Sequence, residues 1–375
     1  MSEKTEIKFE FRDVFIQIKK LQADFVELKN TVNVLEQNAS SSFTNISNSI
    51  KQISFSAFID QVEHVSQALT DISKPGLEFE QSVAELSAIT GIAGKDLEIL
   101  SQKAREVGIS SGLGASQAIE AFKLLASQIS VDSIGIDGLQ TLQEETIKLS
   151  QAAGISLPEA ANAMASAINQ FGLEAKDASR VINVLAAGSK FGAAEIPELA
   201  ASFKVAGAAA NAAGIDLEQL AGATEVLSKN AMKGAEAGTA MRNIILKMQT
   251  ALGIDFFQTS LSEALNQLKP QLQDTEFLVK TFGAENVVAA QFLIQNADAV
   301  DEMTQKVTGT NVAYEQAAIN TNTYAHTLQQ VKSWMDNVKI SIFEMTGPLL
   351  PFGEALSGVA VTVAQLLPLF SALTN

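Results

Sequence analysis

Nine apolar residues between Ile7 and Leu35 alternate at spacings of four and three: Ile7, Phe11, Val14, Ile18, Leu21, Phe25, Leu28, Val32 and Leu35. Few patterns restrict a chain more. An apolar seam that returns every seventh residue keeps facing a partner only if the helices wind around each other left-handedly, so it favours a coiled coil. Lys19, Lys20, Asp24, Glu27 and Lys29 fall on the outer faces. A single amphipathic helix packed on its own domain shares part of this pattern, but an unbroken run of heptads favours the coiled coil for residues 1–40. Phe11 and Phe25 in one core series are bulky for a tight dimer, so a homo-oligomer of three or more copies is expected. The heptad stops at Ser40-Ser41-Ser42, a polar joint, and residues 41–74 read as a second amphipathic helix or linker.

The rest of the sequence also reads as helix. Hydrophobic residues make up 47% of the chain, aromatics only 6%, and there are seven prolines in 375 residues. Abundant Ala favours helix, small side chains allow close helix approach, and scarce Pro leaves helices uninterrupted. Alternating strand patterns are nearly absent. The expected fold class is all-α: an N-terminal coiled-coil helix, a compact multi-helix domain, then long helices ending in a hydrophobic segment.

Punctuation divides it further. Pro75-Gly76 marks a boundary, and short helices separated by Gly turns follow over 75–253. Two turns sixty residues apart are near copies, Ala152-Ala-Gly-Ile-Ser-Leu157 and Ala212-Ala-Gly-Ile-Asp-Leu217. Each has a Gly where a helix ends and an N-cap residue two positions on, with Glu159 and Gln219 at capping-box spacing from Ser156 and Asp216. Either an internal duplication or ordinary helix punctuation accounts for the pair. Residues 254–346 are expected to hold longer helices, with Tyr314–Met345 forming one helix. Residues 347–375 begin at Gly347-Pro348 and carry no charge from Ala355 to Asn375. That stretch barely meets the ~20 apolar residues of a spanning helix. Its apolar members Val359, Val361, Val363, Leu366, Leu367, Leu369 and Phe370 form a candidate membrane segment; a buried helix or a self-association face are the other readings.

Candidate chemistry is sparse. The formal net charge of −16 argues against nucleic-acid binding, which needs Lys and Arg to neutralise phosphates. It either keeps the chain soluble or gives a surface past which DNA slides without sticking. There are no cysteines, hence no disulfide, thiol or Cys-ligated metal. His64 and His326 are far apart, each without a companion ligand at helical spacing, so no metal site is expected. Glu144-Glu145 read as a solvated face. Gly112-Leu-Gly114 reads as a helix-entry turn, and Asp132–Gly138 lacks the ligand pattern of a calcium loop. Trp334 and Phe343 read as packing residues on one helix. No catalytic residue, metal or cofactor is expected, and no enzyme. The charged stretch Met1–Glu10 has no apolar core, so no signal peptide is expected.

Several phrases, in order, resemble the phage tail tape-measure family: Phe79–Gly91, Leu100–Gly108, Ala115–Ala121, Ala167–Leu173, Ala178–Ala186 and Lys233–Asn243, with Phe282-Gly-Ala-Glu-Asn286, Trp334–Lys339 and Gly347-Pro348 downstream. The resemblance covers roughly Pro75 to Phe352. Gly114 departs from it, standing where the family often has Ser or Thr, so a helix cap is expected to be missing there. Family members are usually much longer, so this chain reads either as a short member or, preferably, as the N-terminal part of a longer one. The resemblance implies several copies lying in the tail lumen while tail-tube protein polymerises around them, chain length setting tube length, and ejection at infection with passage through the envelope. Implied partners are further copies of itself, the tail-tube protein, tail-tip or baseplate proteins, tail chaperones during assembly in the host cytoplasm, and host membrane. The tail of a phage and that of a tail-derived injection particle fit equally. The competing function is a membrane-active or pore-forming effector that inserts residues 355–374.

Overall fold

Local capping sets the helix boundaries. At the first of the twin turns Gly154 closes one helix in the left-handed region (φ 65°) and Ser156 opens the next. The Ser156 hydroxyl accepts the Glu159 N–H, and the Glu159 carboxylate accepts the Ser156 N–H at 2.9 Å. At the second turn Gly214 (φ 93°) and Asp216 repeat the first half of this device. Gln219 does not close the box: its side chain accepts the Leu261 N–H at 2.8 Å, 42 residues downstream. The two turns therefore share a cap and differ in what the cap's partner holds.

A computed structural model describes residues 55–346. Among them lie fifteen α-helices, two short 3-10 turns and no strand. In chain order they are α1 (Phe55–Thr90), α2 (Gly94–Ser111), α3 (Ala115–Ala126), α4 (Val131–Ala153), α5 (Leu157–Phe171), α6 (Ala178–Phe191), α7 (Ile196–Ala213), α8 (Leu217–Lys229), α9 (Gly234–Leu252), α10 (Leu261–Gln267), α11 (Thr275–Phe282), α12 (Val287–Gln295), α13 (Ala297–Val307), α14 (Val312–Thr321) and α15 (Tyr324–Thr346). Residues Asp71–Pro348 form one compact unit. The heptad residues Ile7 to Leu35 and the candidate membrane residues Val359 to Phe370 lie outside the described residues.

The core explains the Ala-rich composition. Helix α7 packs against α5, α8 and α9, and small residues line those contacts, including Ala200, Ala206, Ala210 and Ala213. A methyl group on Gly238 would sit 2.8 Å from the Ser202 carbonyl oxygen, so α7 and α9 touch backbone to backbone. Phe203 fills the remaining space and meets Phe171 edge to face, ring centres 5.8 Å apart. One apolar core runs from Phe79 on α1 to Ile340 on α15, so stretches 75–253 and 254–346 share it.

Two expectations change. Pro75-Gly76 is not a break in secondary structure, because α1 continues through both. Gly76 is buried and faces Phe343, whose ring occupies the place a Cβ would take. The pair thus marks a docking point. Nor is Tyr314–Met345 one helix. Stretch 254–346 holds helices of seven to eleven residues before the 23 residues of α15. The break falls at Asn322-Thr323, where the Thr323 hydroxyl accepts the His326 N–H at 3.1 Å and starts α15 anew. Short polar side chains that bond their own backbone compete with helix continuation in this way.

Candidate functional site

Several buried and half-buried polar groups lie where α14 and α15 meet the body. Glu145 on α4 is buried, contrary to the solvated face expected for Glu144-Glu145. Adjacent helical residues point in different directions: Glu144 pairs outward with Lys103, while Glu145 turns inward to α14. There it accepts the Tyr314 hydroxyl at 2.7 Å and Lys148 Nζ at 2.7 Å. The Lys148 ammonium also lies 4.8 Å from the Tyr314 ring centre. Burial, then the bond to Glu145, pushes the Tyr314 phenol up to about 12.

Asn183 on α6 completes the attachment of α14. Its Oδ1 accepts the Ala313 N–H at 3.0 Å, and its own backbone carbonyl accepts the Thr310 hydroxyl at 3.4 Å. Beside it, Arg180 grips Glu218 with two parallel bonds of 2.7 and 2.5 Å. Such forked pairs are directional as well as strong. Arg180, Asn183, Thr310 and Tyr314 line an open depression of about 430 Å³. A similar depression of about 420 Å³ is lined by Lys103, Glu144, Lys148 and Gln151. Arg180, Lys103 and Lys148 are engaged with Glu218, Glu144 and Glu145, and the bonds of Glu145 and Asn183 hold α14 in register on α4 and α6.

Helix α15 has its own clamp. Arg105 on α2 donates to Asn337 Oδ1 at 2.6 Å, to the Glu344 carboxylate at 2.9 Å and to the Ser341 hydroxyl. Gln330 donates to the Ser110 carbonyl at 2.7 Å. Trp334 is half-buried and Phe343 buried, in keeping with packing roles. Gly112 ends α2 and Gly114 opens α3 without a side-chain cap, as expected for a helix-entry turn.

A second group escaped sequence reasoning. Glu225 on α8 is fully buried and accepts the N–H groups of Ala193 and Ala194 at 2.6 and 2.8 Å. Its Oε1 has no hydrogen-bond partner. Burial pushes its carboxyl up to about 7, against the two N–H groups that favour the charged form. Gly192 lies so close that a Cβ there would overlap the carboxylate. The available signal was one acid inside the apolar run Leu220-Ala-Gly-Ala-Thr-Glu-Val-Leu227.

Among the described residues no group of three or more His, Asp or Glu is placed to hold a metal ion. His326 is half-buried on α15; the side chain of His64 lies outside the description. Among the described residues, no single helix is long and apolar enough to cross a membrane. The bent pair α11 and α12 reaches that composition only jointly, and it buries Leu278, Phe282, Leu293 and Ile294 in the core.

Comparison with known proteins places these helices. The family model described as phage-related minor tail protein matches residues 101–321, more than half of the chain. The tape measure protein of Pneumococcus phage Dp-1 is 26% identical over 315 residues, covering 78% of this chain and 25% of that protein. The probable tape measure protein of Escherichia phage P2 is 26% identical over 183 residues, covering 48% and 22%. That of Clostridium phage phiCD119 is 25% identical over 192 residues, covering 51% and 20%. The chain thus spans a quarter or less of the length of these curated relatives. No solved structure matches it.

Proposed function

The chain belongs to the phage-related minor tail protein family, and we propose that it acts as a tail tape measure. Its structural role is in the phage tail. The observation that carries the finer reading is the similarity to a tape measure protein over 78% of the chain, joined to an entirely helical architecture among the described residues. A helix converts residue number into length at ~1.5 Å per residue, so 375 residues reach at most about 560 Å. The compact unit Asp71–Pro348 contributes less than that.

In this reading copies gather through Ile7–Leu35 inside the tail lumen, tail-tube protein assembles around them, and tail-tip proteins hold one end. The net charge of −16 suits a lumen through which DNA passes. At ejection the uncharged residues 355–375 meet the host membrane. Vesicle binding by a peptide of that segment checks the last step, and no binding at any lipid composition removes it. The ruler is tested by deleting whole heptads from 1–40 in the phage and measuring tails by electron microscopy. Each heptad removed should shorten the tail by about 10 Å. Unchanged tail length contradicts a ruler role for that stretch.

A further inference from the structure

Helix α15 has two faces, and the clamp uses only one. Ser333, Ile340 and Phe343 are buried against the body, and Arg105 binds Asn337, Ser341 and Glu344 on that side. On the opposite side Leu328, Val331 and Met335 are 52%, 40% and 50% exposed, and Val338 is half-exposed. These four alternate at spacings of three and four, and the sequence continues the spacing at Ile342 and Met345. In heptad terms they are the two core positions, while Ser333, Asn337, Ile340, Phe343 and Glu344 occupy positions facing away from them and Ser341 lies at the edge between the two faces.

An apolar stripe on a folded domain marks an interaction surface, and spacings of three and four suit another helix as what covers it. The flanking residues choose among helices. Lys332 and Lys339 occupy the same flanking position of successive heptads, and Trp334 and Ser341 the other. In a parallel pair of identical helices Trp334 of one copy faces Lys339 of the next, a cation over an indole ring. An antiparallel pair sets lysine against lysine, which is unfavourable.

We propose that α15 is a second self-association seam, at which neighbouring copies of this chain pack in parallel through Leu328, Val331, Met335 and Val338. It deepens the reading of the chain as a multi-copy tail component. It also gives the copies a contact some three hundred residues from the first heptad, which would fix their bodies in register as well as their N-termini.

The chain has no cysteine, so Met335→Cys and Leu328→Cys in the full chain each provide one thiol. Under mild oxidation both should give covalent dimers at least about tenfold faster than Glu236→Cys, an exposed control on α9, because pairing raises the local thiol concentration. An antiparallel pair cannot bring both positions against their own copies. Adding Val331→Glu should abolish the difference while circular dichroism stays unchanged. Dimer formation no faster than in the control overturns the proposal. So does a Met335→Cys thiol that resists maleimide labelling in chain held monomeric, since the stripe would then be covered by the same chain. Neither outcome depends on tail length, so this pairing and the ruler fail separately.

Discussion

Helices α8 and α15 are both amphipathic in sequence, yet the protein treats them differently. In α8 eleven of thirteen residues are buried, on every side of the helix. Even its acids are enclosed, Glu218 by Arg180 and Glu225 by two backbone N–H groups. In α15 one face is clamped and the opposite face leaves Leu328, Val331 and Met335 in solvent. A helix covered all round belongs to the monomer's stability; a helix covered on one side keeps apolar surface for an encounter. The body around α5–α9 is therefore complete in a single copy, and α15 is not.

The largest effect expected from this contrast is at Phe203, fully buried in the body and edge to face with Phe171. Phe203→Ala should cost about 3–5 kcal/mol in denaturant unfolding. A loss below 1 kcal/mol would mean that the centre is less tightly packed than α8 and its neighbours imply.

Next comes pH. The Glu225 carboxyl has its folded pKa raised to about 7 from an ordinary 4.5, so the folded state holds a proton that the unfolded state releases. The resulting stability is full below pH 4.5 and is lost as pH rises through 7, at most about 3 kcal/mol in all. Unfolding at pH 5 and pH 8 should show this decline, and Glu225→Gln should flatten it. The capping carboxylates Glu159 and Glu263 are held below the usual range by Ser156 and Ser260. Their contribution is lost only as pH falls through their lowered values, outside the Glu225 window.

Gly222→Ala should be smaller. Its added methyl would come within 2.8 Å of the Thr304 backbone nitrogen, forcing α8 and α13 apart at about 1–3 kcal/mol. The smallest effect is expected at the rim. Arg105→Ala removes a half-exposed clamp, so global stability should fall by about 1 kcal/mol while amide exchange in α15 quickens. Equal quickening in α8 would erase the distinction between the two helices.

Some of this organisation is readable from residues alone. Ser156, Asp216 and Gly154 announce helix ends because capping is local chemistry between residues two or three apart. The phrases from Phe79 to Asn243 carry the family because they keep order over a long stretch. Contacts between distant segments are not readable this way. Glu145 reads as surface until Tyr314 arrives from 169 residues away, and Gln219 completes a box on paper but serves Leu261 in space. Pro75-Gly76 reads as a stop because Pro discourages helix locally, whereas the packing of Phe343 on Gly76 is tertiary. The α15 stripe is visible in sequence only once the opposite face is known to be occupied.

Hydrogen exchange measured on the full chain across a range of concentrations tests the contrast most directly. The account predicts that α8 amides stay equally protected at every concentration, while α15 amides gain protection as copies associate. Protection of α15 that is independent of concentration, or α8 protection that rises and falls with it, would contradict the account.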